Sequence, residues 1–210
     1  LLPGAEGSIW FGTQSGHVGR IHKEKITVFG PASGLPGVPV RTLALDASGR
    51  IWAGTKGAGI FWVDPTVKSP RFQAVLPRSG QYSPNIYLLE FDAAGNLWSG
   101  SETGVDKLVF SQEDKTVNEV QHFGKNDGFL GIETCQDAAL EDRAGQLWFG
   151  TMNGLVRYTP AAWQNRATTP LVHFETVSLL YKPLSDSAYS ALMSVPGSLQ
   201  LPYHLNHLSF

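Results

Sequence analysis

The chain has 210 residues, 42% of them hydrophobic and 16% charged, which is enough apolar material for the core of one large or two small domains. Its 16 Lys and Arg against 18 Asp and Glu leave a net charge of −2, and no basic cluster of the kind that binds nucleic acid or an anionic membrane is present. The single cysteine, Cys135, excludes an intrachain disulfide, and no run approaches the roughly 20 apolar residues of a membrane-spanning helix.

Taken in chain order, Ala5-Glu6-Gly7 reads as a turn leading into the strand Ser8-Ile9-Trp10-Phe11-Gly12-Thr13. No strand is expected before that turn. Ile26 to Phe29 closes this first unit. The second unit opens with an alternating strand, Val40 to Asp46, then a turn, Asp46-Ala47-Ser48-Gly49. There the aspartate can bond the turn backbone and the glycine can take a positive φ. The strand Arg50-Ile51-Trp52-Ala53-Gly54-Thr55 follows, then a glycine turn, the strand Ile60 to Val63 and a weaker one from Arg71 to Val75. The third unit runs the same way: Ile86 to Asp92, Asn96-Leu97-Trp98-Ser99-Gly100-Ser101, Val105 to Phe110, Val117 to Phe123. The fourth gives Gln136 to Asp142, Gln146-Leu147-Trp148-Phe149-Gly150-Thr151, and Leu155 to Tyr158.

The motif tryptophans lie 42, 46 and 50 residues apart. Four short antiparallel strands at that period are the arithmetic of a β-propeller blade. Apolar residues on both faces of the tryptophan strands fit sheets that cover one another. No helical periodicity supports a helical repeat instead. The expected fold is all-β, with about three and a half four-stranded blades in residues 1–162. A propeller needs more blades to close, and the first residue is not Met. A piece of a longer chain is therefore expected. Residues 163–170 read as a linker. Residues 171–210 read as a second β domain, with strands near 171–180, 198–202 and 207–210 and a turn at Tyr181-Lys182-Pro183-Leu184.

The repeats resemble the two-component regulator propeller family. Asp142-Arg143-Ala144-Gly145-Gln146-Leu147-Trp148-Phe149-Gly150-Thr151 and Asn153-Gly154-Leu155-Val156-Arg157-Tyr158 carry that pattern throughout. Phe123 with Asn126-Asp127-Gly128-Phe129 and Glu133 resembles the variant that closes a last blade. Met152-Asn153 and Glu102-Thr103 replace the usual double glycine, and Pro77 to Pro84 is an unusually long loop. Pro170 to Phe174 and Leu205 to Phe210 resemble the start of the Ig-like β-sandwich, the Y_Y_Y domain, that follows such propellers. The resemblance implies a non-catalytic, extracytoplasmic (periplasmic) sensor region of a bacterial inner-membrane signalling protein. The output of such proteins is a histidine kinase or diguanylate cyclase. It further implies a small-molecule ligand such as an oligosaccharide, a homodimeric full-length protein, membrane anchoring through other segments, no nucleic acid and no cofactor.

Equivalent placement makes Trp10, Trp52, Trp98 and Trp148 packing anchors rather than a sugar-stacking set, since large aromatics dominate core energetics. Trp62 and Trp163 fall outside the repeat. Asp46, Asp92 and Asp142 read as turn caps, because the alternating oxygen ligands of a calcium loop are missing. His17, His22, His122, His173, His204 and His207 form no metal pattern; His204 and His207, three apart on a strand, point to opposite faces. Cys135 has no neighbouring base or cation to make it a nucleophile. Counting back five residues from each turn aspartate gives Arg41, Tyr87 and Asp137, with Asn85 nearby. A cation, an aromatic and an anion at equivalent places are candidate ligand contacts at a channel mouth; solvated channel lining is the plainer alternative. A propeller lyase or hydrolase using His17 or His122, and a scaffold or dimerisation module, are the competing functions.

Overall fold

The computed structural model describes residues 1–111, 116–131 and 133–159, together with the backbone at 178–179, 182–183 and 208–209. Backbone contacts divide the chain into two units, Leu1–Asn165 and Arg166–Phe210. The first unit is a run of antiparallel sheets ordered as the chain is ordered. The first sheet holds β1 (Leu2–Pro3), β2 (Ile9–Gly12), β3 (Val18–His22) and β4 (Lys25–Phe29). The second holds β5 (Val40–Leu45), β6 (Ile51–Thr55), β7 (Ile60–Val63) and β8 (Gln73–Ala74). The third holds β9 (Leu88–Phe91), β10 (Leu97–Ser101), β11 (Gly104–Phe110) and β12 (Val117–Phe123). The fourth has three strands, β13 (Thr134–Glu141), β14 (Leu147–Thr151) and β15 (Gly154–Tyr158). Consecutive sheets touch through their first strands, which therefore lie innermost. The architecture is that of propeller blades.

One expectation needs correction at the N-terminus. The first sheet does have an innermost strand: Leu2 and Pro3 pair with Trp10 and Ile9. Two residues are too short to show a period of two, so the pattern could not be read.

The repeat motif folds for local reasons. After β5, Asp46 Oδ1 accepts bonds from the backbone N–H groups of Ser48 and Arg50 at 2.9 and 3.0 Å, and Gly49 closes the turn at φ +82°. Asp92 and Asp142 act likewise on Asn96 and Gln146. Each aspartate also accepts a bond from the indole Nε1 of the tryptophan six residues later. The distances are 3.0 Å for Asp46–Trp52, 2.9 Å for Asp92–Trp98 and 2.8 Å for Asp142–Trp148. The turn and the large buried ring are thus tied together by one carboxylate. The threonine that ends the motif caps the next turn, as in Thr55 Oγ1 donating to the Gly59 carbonyl at 2.7 Å.

Three apolar clusters lie between neighbouring sheets. Trp10, Val18 and Phe29 meet Val40, Ile51, Ala53 and Phe61. Trp52 and Ile60 meet Ile86, Leu89, Leu97 and Leu108. Trp98, Val105 and Phe123 meet Leu147 and Phe149. Trp10, Trp52 and Trp98 are 1%, 2% and 0% exposed, as expected of packing anchors. Trp148 differs. It is half-buried, on the face of the fourth sheet that carries Leu140 and Leu155, both exposed. The motif glycine lets the next sheet come close: a Cβ on Gly54 would stand 2.5 Å from both Ile86 Cγ2 and Thr42 Cγ2.

In the second unit, β16 (Ser178–Leu179) pairs with β17 (Lys182–Pro183) and β18 (Leu208–Ser209). Lys182 and Pro183 are strand there, where a turn was expected. Trp163, His173, His204, His207, the linker 163–170 and the rest of 171–210 lie outside the described residues.

Candidate functional site

Three of the four residues singled out at the channel mouth come together. Arg41 stands near the start of β5, where the pairing with β6 shifts register between Val40 and Thr42. Tyr87 immediately precedes β9, held by its N–H to the Gly100 carbonyl at 2.8 Å. Asp137 lies in β13 within a second register shift, between Thr134 and Ala139. The extra residues of such bulges re-aim side chains near an end of a sheet. Asp137 has φ +52°, a left-handed conformation that aspartate tolerates better than most side chains.

The Arg41 guanidinium sits over the Tyr87 ring, 4.4 Å from its centroid. Asp137 N–H donates to the Tyr87 carbonyl at 3.1 Å, and Gln136 Nε2 donates to the Arg41 carbonyl at 2.7 Å. Three inner strands are thereby linked at one end. Arg41 Nη1 is a buried donor with no hydrogen-bond partner. Beside this group Leu43, Leu89, Glu90, Asp137 and Ala139 line a cavity of ≈ 170 Å³. Burial pushes the Glu90 carboxyl above its ordinary pKa, and the charge of Glu141 adds to that. The arrangement offers a cation–aromatic platform and two carboxylates, a set suited to binding a polar ligand.

Asn85 does not join this group. Its Nδ2 donates to Glu102 Oε1 at 3.4 Å, and Ser83 Oγ reaches the same carboxylate at 3.2 Å. Ser83 N–H also donates to Asp106 Oδ2 at 3.3 Å, and Asp106 Oδ1 is 2.6 Å from His122 Nδ1. Asp106 is 2% exposed. Burial raises its pKa, and the bond and charge of His122 offset part of that rise. Sequence reading missed this acid–histidine pair because the two residues are cross-strand neighbours, 16 positions apart. It lies on the third and fourth strands of its sheet, and it anchors the loop after β8 rather than facing the inner strands. Earlier in that loop, Arg78 N–H donates to the Val117 carbonyl at 2.9 Å and Val120 N–H to the Ser79 carbonyl at 3.2 Å.

The other candidates fall outside these groups. His17 stays in the β2–β3 turn, bonded to Ser15 Oγ at 3.2 Å. Cys135 is half-buried. Among the described residues no helix is long and apolar enough to cross a membrane, and no group of three or more His, Cys, Asp or Glu could hold a metal ion.

Comparison with known proteins agrees with the blade architecture. Residues 34–57 match the family model described as two component regulator propeller. The chain is 28% identical over 160 residues to Histidine kinase P4 of Formosa agariphila, which covers 72% of this chain and 11% of that protein. A crystal structure described as the extracellular domain of a hybrid two component system from B. thetaiotaomicron superposes with a TM-score of 0.67 at 20% identity, over 96% of this chain and 26% of that one. Virginiamycin B lyase from Staphylococcus aureus superposes with a TM-score of 0.52 at 17% identity, over 77% of this chain and 56% of that one. The structural likenesses establish the propeller architecture. The chain spans about a tenth of the kinase relative's length and about a quarter of the extracellular domain's.

Proposed function

We propose that this chain is a ligand-sensing region on the extracytoplasmic side of a membrane-bound two-component signalling protein, and is not itself catalytic. The observation that carries the site is the convergence of Arg41, Tyr87 and Asp137 from three successive inner strands, with one Arg41 nitrogen buried and unbonded. A buried donor without a partner is costly, and a ligand oxygen would satisfy it. The family repeat and the likeness to a kinase and to an extracellular two-component domain support a signalling role. A polar small molecule is the ligand class we favour, an oligosaccharide first among them. Kinase-type output, membrane anchoring and homodimerisation would then belong to a longer protein.

An enzyme is the second reading, and the 2.6 Å Asp106–His122 contact favours it. The pair stands on outer strands and holds a loop, whereas His17 stays in the β2–β3 turn, so sensing is the better account. The test is thermal unfolding of the chain against a panel of neutral oligosaccharides. A ligand at 100 times its Kd raises stability by about 2.7 kcal/mol. The expected outcome is a shift that Arg41→Ala abolishes and His122→Ala leaves intact. A shift that survives Arg41→Ala, or turnover of any panel member that His122→Ala removes, refutes the proposal.

A further inference from the structure

Trp62 is the tryptophan among the described residues that the repeat does not explain. Its position is informative because the other sheets share a pattern there. On the third strand, directly across from the motif tryptophan, stands a cation: Arg20 opposite Trp10, Lys107 opposite Trp98, Arg157 opposite Trp148. Their charges lie 5.6, 5.5 and 5.5 Å from the respective indole centroids. Such cation–π contacts are favourable and also shield the ring from water.

The second sheet breaks this pattern twice. Trp62 stands opposite Trp52, the two rings stacked 6.2 Å apart. The cation comes from the preceding turn instead, from Arg50, where the other sheets carry Ser8, Asn96 and Gln146. Its guanidinium is 5.6 Å from Trp52 and 5.0 Å from Trp62, and its Nε donates to Asp46 Oδ2 at 2.6 Å. Moving the cation preserves the packing of Trp52. It also leaves a second indole, which packs against the Trp52 cluster and stays half-buried.

That indole lines a groove of ≈ 460 Å³ together with Arg50, Asp64, Ser69, Arg71 and Gln73. The volume lies within the range of small-molecule pockets, about 300–1,000 Å³. Asp64 is fixed by bonds from Thr66 N–H and Oγ1 at 2.8 and 2.6 Å, and those bonds hold its carboxyl below the ordinary range. Arg71 is exposed, and it lines the groove with no carboxylate partner among the described residues. The groove therefore offers an aromatic face, an available guanidinium and a rim of hydroxyl, amide and carboxylate groups. It lies at the turn end of the second sheet, whereas Arg41 lies at the opposite end of β5.

We propose that this groove is a second binding site, for an acidic saccharide. The apolar C–H face of the sugar ring would lie on Trp62. Its carboxylate or sulfate would meet Arg71, since guanidinium groups bind such oxyanions in a paired, directional way. Asp64, Ser69 and Gln73 would take the ring hydroxyls. This site is independent of the inner-strand group and of any role assigned to it.

The test is titration of the 210-residue chain with glucuronate, followed by tryptophan fluorescence and calorimetry, with glucose and adenosine monophosphate in parallel. Glucuronate is expected to bind saturably and about tenfold or more tighter than glucose, the difference one charge-assisted contact makes. Trp62→Lys installs the residue type that the third sheet carries at this place, and Arg71→Gln changes an exposed side chain. Each is expected to weaken glucuronate by about tenfold or more while leaving the melting temperature within a few degrees. No saturable glucuronate binding, tighter binding of adenosine monophosphate, or unchanged affinity in Arg71→Gln overturns the proposal. If Trp62→Lys lowers the melting temperature, Arg71→Gln decides alone.

Discussion

At the scale of single residues, the turn aspartate does more than its sequence position announced. The turn itself was legible, because Asp followed by two residues and Gly is turn chemistry. The bond that the same carboxylate accepts from the indole six residues later was not anticipated, although the interval is constant in three repeats. In the first sheet Gly4 holds that place, and a Cβ there would meet Trp10 Nε1 at 2.7 Å, so Trp10 packs without the carboxylate. Asp46→Ala removes charge-assisted bonds to Trp52, Arg50 and the turn. It should lower unfolding free energy in urea by about 2–3 kcal/mol with an unchanged slope. Asp142→Ala should lose less, because Trp148 is only half-buried and water can satisfy its N–H. Equal losses would contradict this account. At the candidate site, Arg41, Tyr87 and Asp137, which counting along equivalent strands singles out, stand together. Asn85 went to Glu102 instead: it lies two residues before Tyr87 and ahead of β9, bridged to Lys56, where strand alternation does not set its direction.

At the scale of elements, the sheets followed from the repeat. Tryptophan strand, glycine turn and partner strand formed as read, and strand ends moved by only a few residues. The short strands were less legible. β1 and β8 have two residues each, and pairing rather than periodicity defines them. What the repeat could not reveal is that equivalent tryptophans differ in environment according to which sheet follows them. Trp52→Ala opens a cavity between the second and third sheets and should cost about 3–5 kcal/mol. Trp148→Ala removes a ring already part-exposed and should cost about 1–2 kcal/mol. Chemical denaturation of both variants checks the ordering.

At the scale of the molecule, the carboxylates pull stability in opposite directions with pH. The bond from Trp148 and the backbone bonds hold Asp142 below its ordinary pKa; its contribution is present above that value and is lost as acid protonates the folded form. Glu90 is raised by burial and then by Glu141. Its contribution is present below the ordinary glutamate value and is lost as pH rises through its elevated one. Glu90→Gln should therefore raise the melting temperature at pH 7, and the gain should vanish near about pH 4. A gain that grows toward acid would reverse the assignment. The two outer faces of the four-sheet stack are apolar as well. One carries Ile21, Ile26 and Val28, and the other Leu140 and Leu155, with Ile26 61% and Leu155 65% exposed. Exposed apolar side chains, where they join into a patch, favour protein association. The loop that Asp106 and Glu102 pin has its own consequence. By bonding Val117 and Val120 it occupies backbone groups along β12 that would otherwise be free to recruit a foreign strand. The third sheet thus carries a built-in guard against fibril-like stacking, supplied by the same length of chain, Pro77 to Pro84, that reads in the sequence only as an overlong loop.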